Sequence, residues 1–197
     1  MQWRSELILG GQRSGKSRRA ELLARDWLAA SASQTVVLIA TATAWDDEMA
    51  QRIARHQHDR AERVPGMRTV EVPLQLAQAL DTHSQPNTLV VIDCLTLWLT
   101  NLMMPHENAE NGLKSASNTT IDQQIRAQAA SFLIAVKNAK GPVVLVGNEI
   151  GLGVIPMGRE TRAFVDALGR LNQEVAAACE RVTFMAAGLP LVLKGPP

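Results

Sequence analysis

Apolar positions along this chain fall into two rhythms. Short, unbroken apolar or β-branched runs occur at Leu7-Ile8-Leu9, Thr35–Ala40, Thr88–Ile92 and Val143–Val146. Strands apolar on both faces belong in a parallel sheet that helices cover on each side. Between them lie longer stretches that read as helices, over residues 16–30, 46–60, 74–80, 94–99, 121–139 and 158–178. Arg68–Val72 alternates like a strand, and Val182–Met185 and Leu191–Leu193 supply a closing pair, expected to be antiparallel. Val64-Pro65-Gly66, Ser84–Asn87 and Gly141-Pro142 punctuate the elements. From Pro105 to Thr120 the pattern lapses into polar residues, which predicts a mobile or functional loop. Strand-helix alternation of this kind predicts one α/β domain over residues 1–197.

The first strand runs straight into Gly10-Gly11-Gln12-Arg13-Ser14-Gly15-Lys16-Ser17, and a helix follows. The spacing is G-x-x-x-x-G-K-S, that of a phosphate-binding loop. Each position has a physical task. Glycine lets successive backbone N–H groups turn inward on one phosphate. The helix behind adds the positive end of its dipole. Lys16 brings a mobile cation to the β- and γ-phosphates, and Ser17 places a hydroxyl for Mg²⁺. Asp93, an acid ending the strand from Thr88, is placed as a second Mg²⁺ ligand. It is equally placed to cap the helix that follows from Cys94 to Leu99. Ala40-Thr41-Ala42 ends the second strand at the carboxyl edge of the sheet, where ligands of open α/β folds bind. The fold expected is α/β of the P-loop NTPase type, RecA-like, with a mainly parallel sheet and helices on both faces.

Composition narrows what such a domain meets. With 46% hydrophobic and 20% charged residues the chain is ordinarily globular. A net charge of +1 gives no argument for nucleic acid or an acidic membrane surface as partner. The two cysteines, Cys94 and Cys179, make neither a disulfide framework nor a metal cluster. No apolar run reaches membrane-spanning length and the opening residues carry no signal-peptide core, so a cytoplasmic enzyme without membrane insertion is the expectation.

From Asp46 to Arg60, acids at the start and bases at the end suit a helix dipole. Spacing of four sets Arg52, His56 and Arg60 on one stripe. Neutral imidazole is a nucleophile, and arginines beside it can grip phosphate oxygens. The plainer reading of the same stripe is a solvated, charged face, and the local sequence leaves both open. Further on, Gly147-Asn148-Glu149-Ile150-Gly151-Leu152-Gly153-Val154-Ile155-Pro156 forms a glycine-rich loop at the same sheet edge.

Together these stretches resemble one family over nearly the whole length. It is that of the bifunctional adenosylcobinamide kinase / adenosylcobinamide-phosphate guanylyltransferases of cobalamin biosynthesis. The marks are the phosphate loop with Arg18 behind it, Ala40-Thr41-Ala42, and Asp47-Glu48-Met49 leading to Arg52-Ile53 and His56. Asp93-Cys94-Leu95-Thr96 and the stretch from Asn148 to Pro156 complete them. The resemblance implies two reactions. In one, ATP or GTP phosphorylates the aminopropanol hydroxyl of adenosylcobinamide. In the other, GMP passes from GTP to that phosphate through a guanylylated histidine, with release of pyrophosphate. The matching register puts that histidine at His56 and sets Gln57, His58, Asp59, Arg60, Glu71 and Asp93 beside the nucleotide. A corrinoid substrate and association into trimers are implied as well. His58, the rival by residue type, lies about 200° around the helix from His56 and off the family register. Two other readings use the same residues. One is a simple small-molecule kinase with Arg159, Arg162 and Arg170 as lid cations; the other is a nucleotide switch that transfers no group.

Overall fold

The computed structural model describes residues 3–44, 46–104 and 118–196. Its strands are β1 (Ser5–Gly10), β2 (Thr35–Ala40), β3 (Met67–Glu71), β4 (Thr88–Asp93), β5 (Val143–Val146), β6 (Arg181–Ala186) and β7 (Leu189–Lys194). Its helices are α1 (Lys16–Ala30), α2 (Asp47–Arg63), α3 (Leu76–His83), α4 (Leu95–Met103), α5 (Asn118–Asn138) and α6 (Arg159–Ala178). The seven strands make one sheet in the order β3-β2-β4-β5-β1-β6-β7. All neighbours pair parallel except β6 and β7, which are antiparallel as the closing pair requires. The strand of the phosphate loop, β1, is therefore central. One strand, β5, separates it from β4 and its terminal Asp93.

The double-sided burial of the strands explains their unbroken apolar runs. On one face Ile8, Val36, Leu38, Val91 and Val146 pack with Ala20 and Ala24 of α1. On the other, Leu7, Ile39, Ile92 and Leu145 pack with Leu80, Trp98, Phe132 and Leu171 from α3 to α6. The Trp98 ring lies 5.3 Å from Phe132 at a 52° tilt. Its N–H donates to the Leu74 carbonyl at 2.8 Å, so the polar edge of a buried indole is satisfied.

A buried ionic cluster fastens β1 to its neighbours. Glu6 is fully buried, accepts a hydrogen bond from Thr183 on β6 at 2.6 Å, and accepts another from the Trp3 indole at 2.9 Å. Arg19 of α1 pairs with it at 3.3 Å and Arg181 of β6 at 3.6 Å. Arg181 also lies over the Trp3 ring, 4.2 Å from its centre. Such a carboxylate is tolerated only because several donors converge on it.

Several boundaries differ from expectation, among them the start of α3 at Leu76 and the end of α4 at Met103. α3 runs on to His83, β3 spans Met67–Glu71, and α2 extends to Arg63. Asp93 does not cap α4: the cap is Cys94, whose Sγ accepts from the Leu97 N–H at 3.5 Å. The polar loop expected from Pro105 lies outside the described residues up to position 117, and α5 begins at Asn118.

Candidate nucleotide site

The phosphate loop is built by glycines at two forced positions. A Cβ on Gly10 would stand 2.5 Å from the Met185 carbonyl oxygen and 2.6 Å from Ser14 Oγ. Gly15, with φ +100°, stands where a Cβ would meet the Gly188 Cα at 3.2 Å. The turn between β6 and β7 thus presses on the loop, and Gly188 N–H donates to the Ser14 carbonyl at 3.0 Å. Gln12 and Arg13 are exposed at the loop tip, whereas Ser14 and Lys16 are buried. Lys16 Nζ folds back into its own loop, donating to the Gly11 carbonyl at 2.6 Å and reaching Ser14 Oγ at 3.5 Å. Burial lowers the Lys16 pKa from its ordinary 10.5. The neighbouring Cys94 and Asp93 side chains pull the other way, and the Arg52 guanidinium adds to the lowering. Cys94, itself pushed up to about 12 chiefly by burial, stays a neutral thiol, so Asp93 is the charge that counts beside this lysine.

Behind the loop, a set of buried polar groups holds the ends of β2, β4 and β5 in place. Thr41 is fully buried. Its hydroxyl donates to the Cys94 carbonyl at 2.7 Å and accepts from the Cys94 N–H at 2.9 Å. It therefore braces the turn after Asp93 and offers its hydroxyl to nothing else, leaving Ala40 and Ala42 as the half-exposed members of that stretch. Asn101 of α4 donates to the carbonyls of Thr41 at 2.8 Å and Pro73 at 3.0 Å. Thr96 Oγ1 accepts from the Asn148 N–H at 2.8 Å, and Asn172 of α6 donates to the Asn148 carbonyl at 3.0 Å. Asn101 and Asn172 did not stand out in the sequence, and Thr96 stood there only as part of the Asp93-Cys94-Leu95-Thr96 stretch, with no role of its own. The one signal available was an amide or hydroxyl on the apolar face of its helix.

The α2 residues are arranged differently. No residue of this helix is buried. Its start is held by Asp46, whose carboxylate accepts from the Met49 N–H at 2.7 Å, and its end by Arg63, paired with Glu21 of α1 at 3.3 Å and with Asp59 at 3.2 Å. Gln57 donates to Glu71 at the end of β3 at 3.1 Å, so two of the expected nucleotide neighbours touch each other. His58 is engaged with Glu62 at 3.3 Å, one turn along. His56 is exposed and makes no hydrogen bond or ion pair among the described residues. One turn before it, Arg52 is the member of the stripe whose charge reaches Lys16. Arg60 is half-buried. Of the lid cations in the simple-kinase reading, Arg162 is tied to the Pro156 and Met157 carbonyls and Arg170 faces Asp122 at 3.7 Å.

Ser17 and Asp93 are the oxygen donors suited to a hard cation. Among the described residues no three His, Cys, Asp or Glu side chains form a metal-binding group of their own. Two protein oxygens suit Mg²⁺, which fills the rest of its octahedron with phosphate oxygens and water.

A phosphate loop on a central parallel strand, with an acid at the end of β4 one strand away, defines a P-loop nucleotide-binding protein of RecA-like topology. The sequence profile of the family "Cobinamide kinase / cobinamide phosphate guanyltransferase" matches residues 6–193. This chain belongs to that family. It is 44% identical over 192 residues to the bifunctional adenosylcobalamin biosynthesis protein CobP of Pseudomonas aeruginosa, covering 98% of each chain. To the protein CobU of Escherichia coli, with the same description, it is 37% identical over 188 residues, 95% of this chain and 98% of that one. Among solved structures, the flagellar accessory protein FlaH from Methanocaldococcus jannaschii aligns with 98% of this chain and 78% of its own. Its TM-score is 0.49 at 12% identity. The family is one of enzymes with two activities, a cobinamide kinase and a guanylyltransferase.

Proposed function

We propose that this chain phosphorylates adenosylcobinamide with ATP or GTP and then transfers GMP from GTP to that phosphate, with His56 as the covalent carrier. The observation that supports the reading is that Lys16 of the phosphate loop feels both Asp93, at the end of β4, and Arg52, one turn before His56 on α2. In the first reaction the substrate hydroxyl oxygen attacks the γ-phosphorus and the β–γ bridging bond breaks. Loop amides and Lys16 hold the diphosphate that leaves. Lys16 must exchange its bond to the Gly11 carbonyl for phosphate oxygens, which gives a buried amine the anionic partner it lacks. Mg²⁺, held by Ser17 and Asp93, supplies charge neutralisation across the phosphates when bound.

In the second reaction a ring nitrogen of His56 attacks the α-phosphorus of GTP. An N–P bond forms, the α–β bridging bond breaks, and pyrophosphate leaves against Lys16 and the loop amides. An oxygen of the substrate phosphate then attacks the phosphoramidate, and His56 is released. Gln57, Asp59, Arg60, Glu71 and the exposed edge at Ala40 and Ala42 line the path of the guanylyl group in this reading. An α2 without buried residues can change its approach to the loop between the two reactions. The same reading carries a trimeric assembly and a cytoplasmic site of action.

The test uses α-labelled GTP. The wild type should take up covalent label that is labile to acid and stable to base, and His56→Asn should take up none while still phosphorylating adenosylcobinamide. Label on His56→Asn would move the nucleophile elsewhere, with His58 the next candidate. Transfer of γ-phosphate without any protein label in the wild type would leave a simple kinase.

A further inference from the structure

β5 is the strand between the phosphate-loop strand and the Asp93 strand, and its exit has no assigned part in the chemistry above. Beyond Val146 the backbone keeps the alternation of a strand. The N–H groups of Gly147 and Glu149 turn to β1, donating to the carbonyls of Ile8 and Gly10 at 3.0 Å each. The intervening Asn148 N–H turns the other way, to Thr96 at 2.8 Å. Side chains alternate with it. Val144 and Val146 lie in the core on the α1 face, so Asn148 falls on that face too. By the same alternation Asp93 follows Leu89 and Val91 onto the α1 face. Asp93 is level with Val146 in the sheet, which puts Asn148 about 7 Å further toward the ligand edge.

The backbone of Asn148 is clamped from three sides. Thr96 of α4 holds its N–H, Asn172 of α6 holds its carbonyl, and the next N–H is bonded to Gly10 of the phosphate loop. Both side-chain clamps are buried. Its own amide makes no hydrogen bond among the described residues, and it is half-buried. A neutral donor on a backbone fixed in this way, at the end of the strand between the phosphate-loop strand and the Asp93 strand, is suited to a phosphate oxygen that Lys16 does not cover.

We infer that the Asn148 side-chain amide reads the terminal phosphate of the bound nucleoside triphosphate. Its NH₂ donates to a γ-phosphoryl oxygen, distinguishing triphosphate from diphosphate and steadying the phosphoryl group in transfer to the substrate hydroxyl. In that step the hydroxyl oxygen bonds to the γ-phosphorus, the β–γ bridging bond breaks, and the hydroxyl proton passes to solvent. Asn148 takes no proton; it holds charge that spreads over the equatorial oxygens. The assignment rests on the nucleotide site and the kinase half of the function proposed above.

Binding of GDP and of β,γ-imido GTP to the wild type, Asn148→Ala and Asn148→Asp tests it, with circular dichroism confirming the fold of each. Loss of one hydrogen bond to a charged oxygen should weaken triphosphate binding by Asn148→Ala about tenfold or more. GDP affinity should stay within about twofold. Transfer from γ-labelled GTP to cobinamide should fall about 100-fold in kcat. Asn148→Asp, the same size but an anion facing an anion, should lose more on both measures. Equal changes in GDP and triphosphate affinity would make Asn148 merely structural, and no change in either would remove it from the site; both overturn the assignment. If the wild type binds neither nucleotide, the nucleotide site falls and this assignment with it. If the wild type binds and Asn148→Ala loses its triphosphate preference, but no phosphate reaches cobinamide, the kinase reading fails and the phosphate-reading role stands.

Discussion

At the scale of single residues, the chemistry turns on how burial changes two kinds of side chain. Lys16 is a buried cation whose partners are its own loop, and burial lowers its pKa from 10.5. Contact with phosphate favours the charged form and raises the value again. Between the lowered free value and the raised bound value, the free amine is partly neutral and the bound amine is protonated. Nucleotide binding in that window should therefore take up protons, and affinity should weaken as pH rises through it. Titration calorimetry in buffers of different ionisation enthalpy reads this directly; Lys16→Ala should abolish the uptake, and proton release by the wild type would contradict it. The same variant should lose at least about 100-fold in both transfers, because one cation serves the phosphates in each. The cysteines show the opposite sign. Cys94 and Cys179 are both pushed up to about 12, chiefly by burial, so almost no thiolate exists at pH 8. A disulfide-exchange reagent should label neither cysteine in the folded chain and both after denaturation; fast labelling of either would refute their burial.

At the scale of elements, legibility followed the strength of the local pattern. α1 was expected over residues 16–30 and forms there, because the phosphate loop fixes its start and the apolar spacing fixes its face. The double-sided strands were equally plain. α2 was not, beyond its existence: a helix with no buried residue has no apolar stripe, so the direction in which His56 points cannot be read from spacing. The bracing by Asn101, Thr96 and Asn172 was also illegible, since a lone amide or hydroxyl on a helix does not name its partner 24 to 60 residues away. Asp93 illustrates a third case, where two readings of one acid were open and the backbone gave the cap to Cys94. These differences have measurable consequences. Asp46→Ala removes the α2 cap at a local cost of about 1 kcal/mol. With no buried face to lose, the melting temperature should barely move, while hydrogen exchange in the first turn of α2 and the rate of GMP labelling should change. Glu6→Ala should do the reverse. It leaves Arg19 and Arg181 without their buried carboxylate, at a cost of about 3–5 kcal/mol in a urea melt. A loss under about 1 kcal/mol would mean that the cluster contributes little to joining β1, β6 and α1.

At the scale of the whole molecule, the sheet has two unequal edges. β3 ends one side with Arg68 and Thr69 facing water, the polar dressing that discourages pairing. β7 ends the other with Leu189, Leu191 and Leu193, all exposed, Leu189 at 71%. Alternation puts the three on one face. Leu191 is level with Phe184, which packs into the core beneath α3 to α6, so that face of β7 continues a core surface with no helix of its own above it. The exit loop of β5 adds Val154 and Met157, each at least 95% exposed. Apolar area this extensive on a folded chain marks a contact surface. A ring of copies that closes by rotation would cover it on every protomer at once. For the trimer of the proposed function, light scattering should give three times the 21.4 kDa chain mass. The double variant Leu189→Lys, Leu191→Lys should give the monomer mass with its circular dichroism unchanged, because neither side chain is part of the protomer's core. A variant that stays trimeric would shift the contact to the Val154–Met157 loop, and a monomeric wild type would remove self-association from the proposed function altogether.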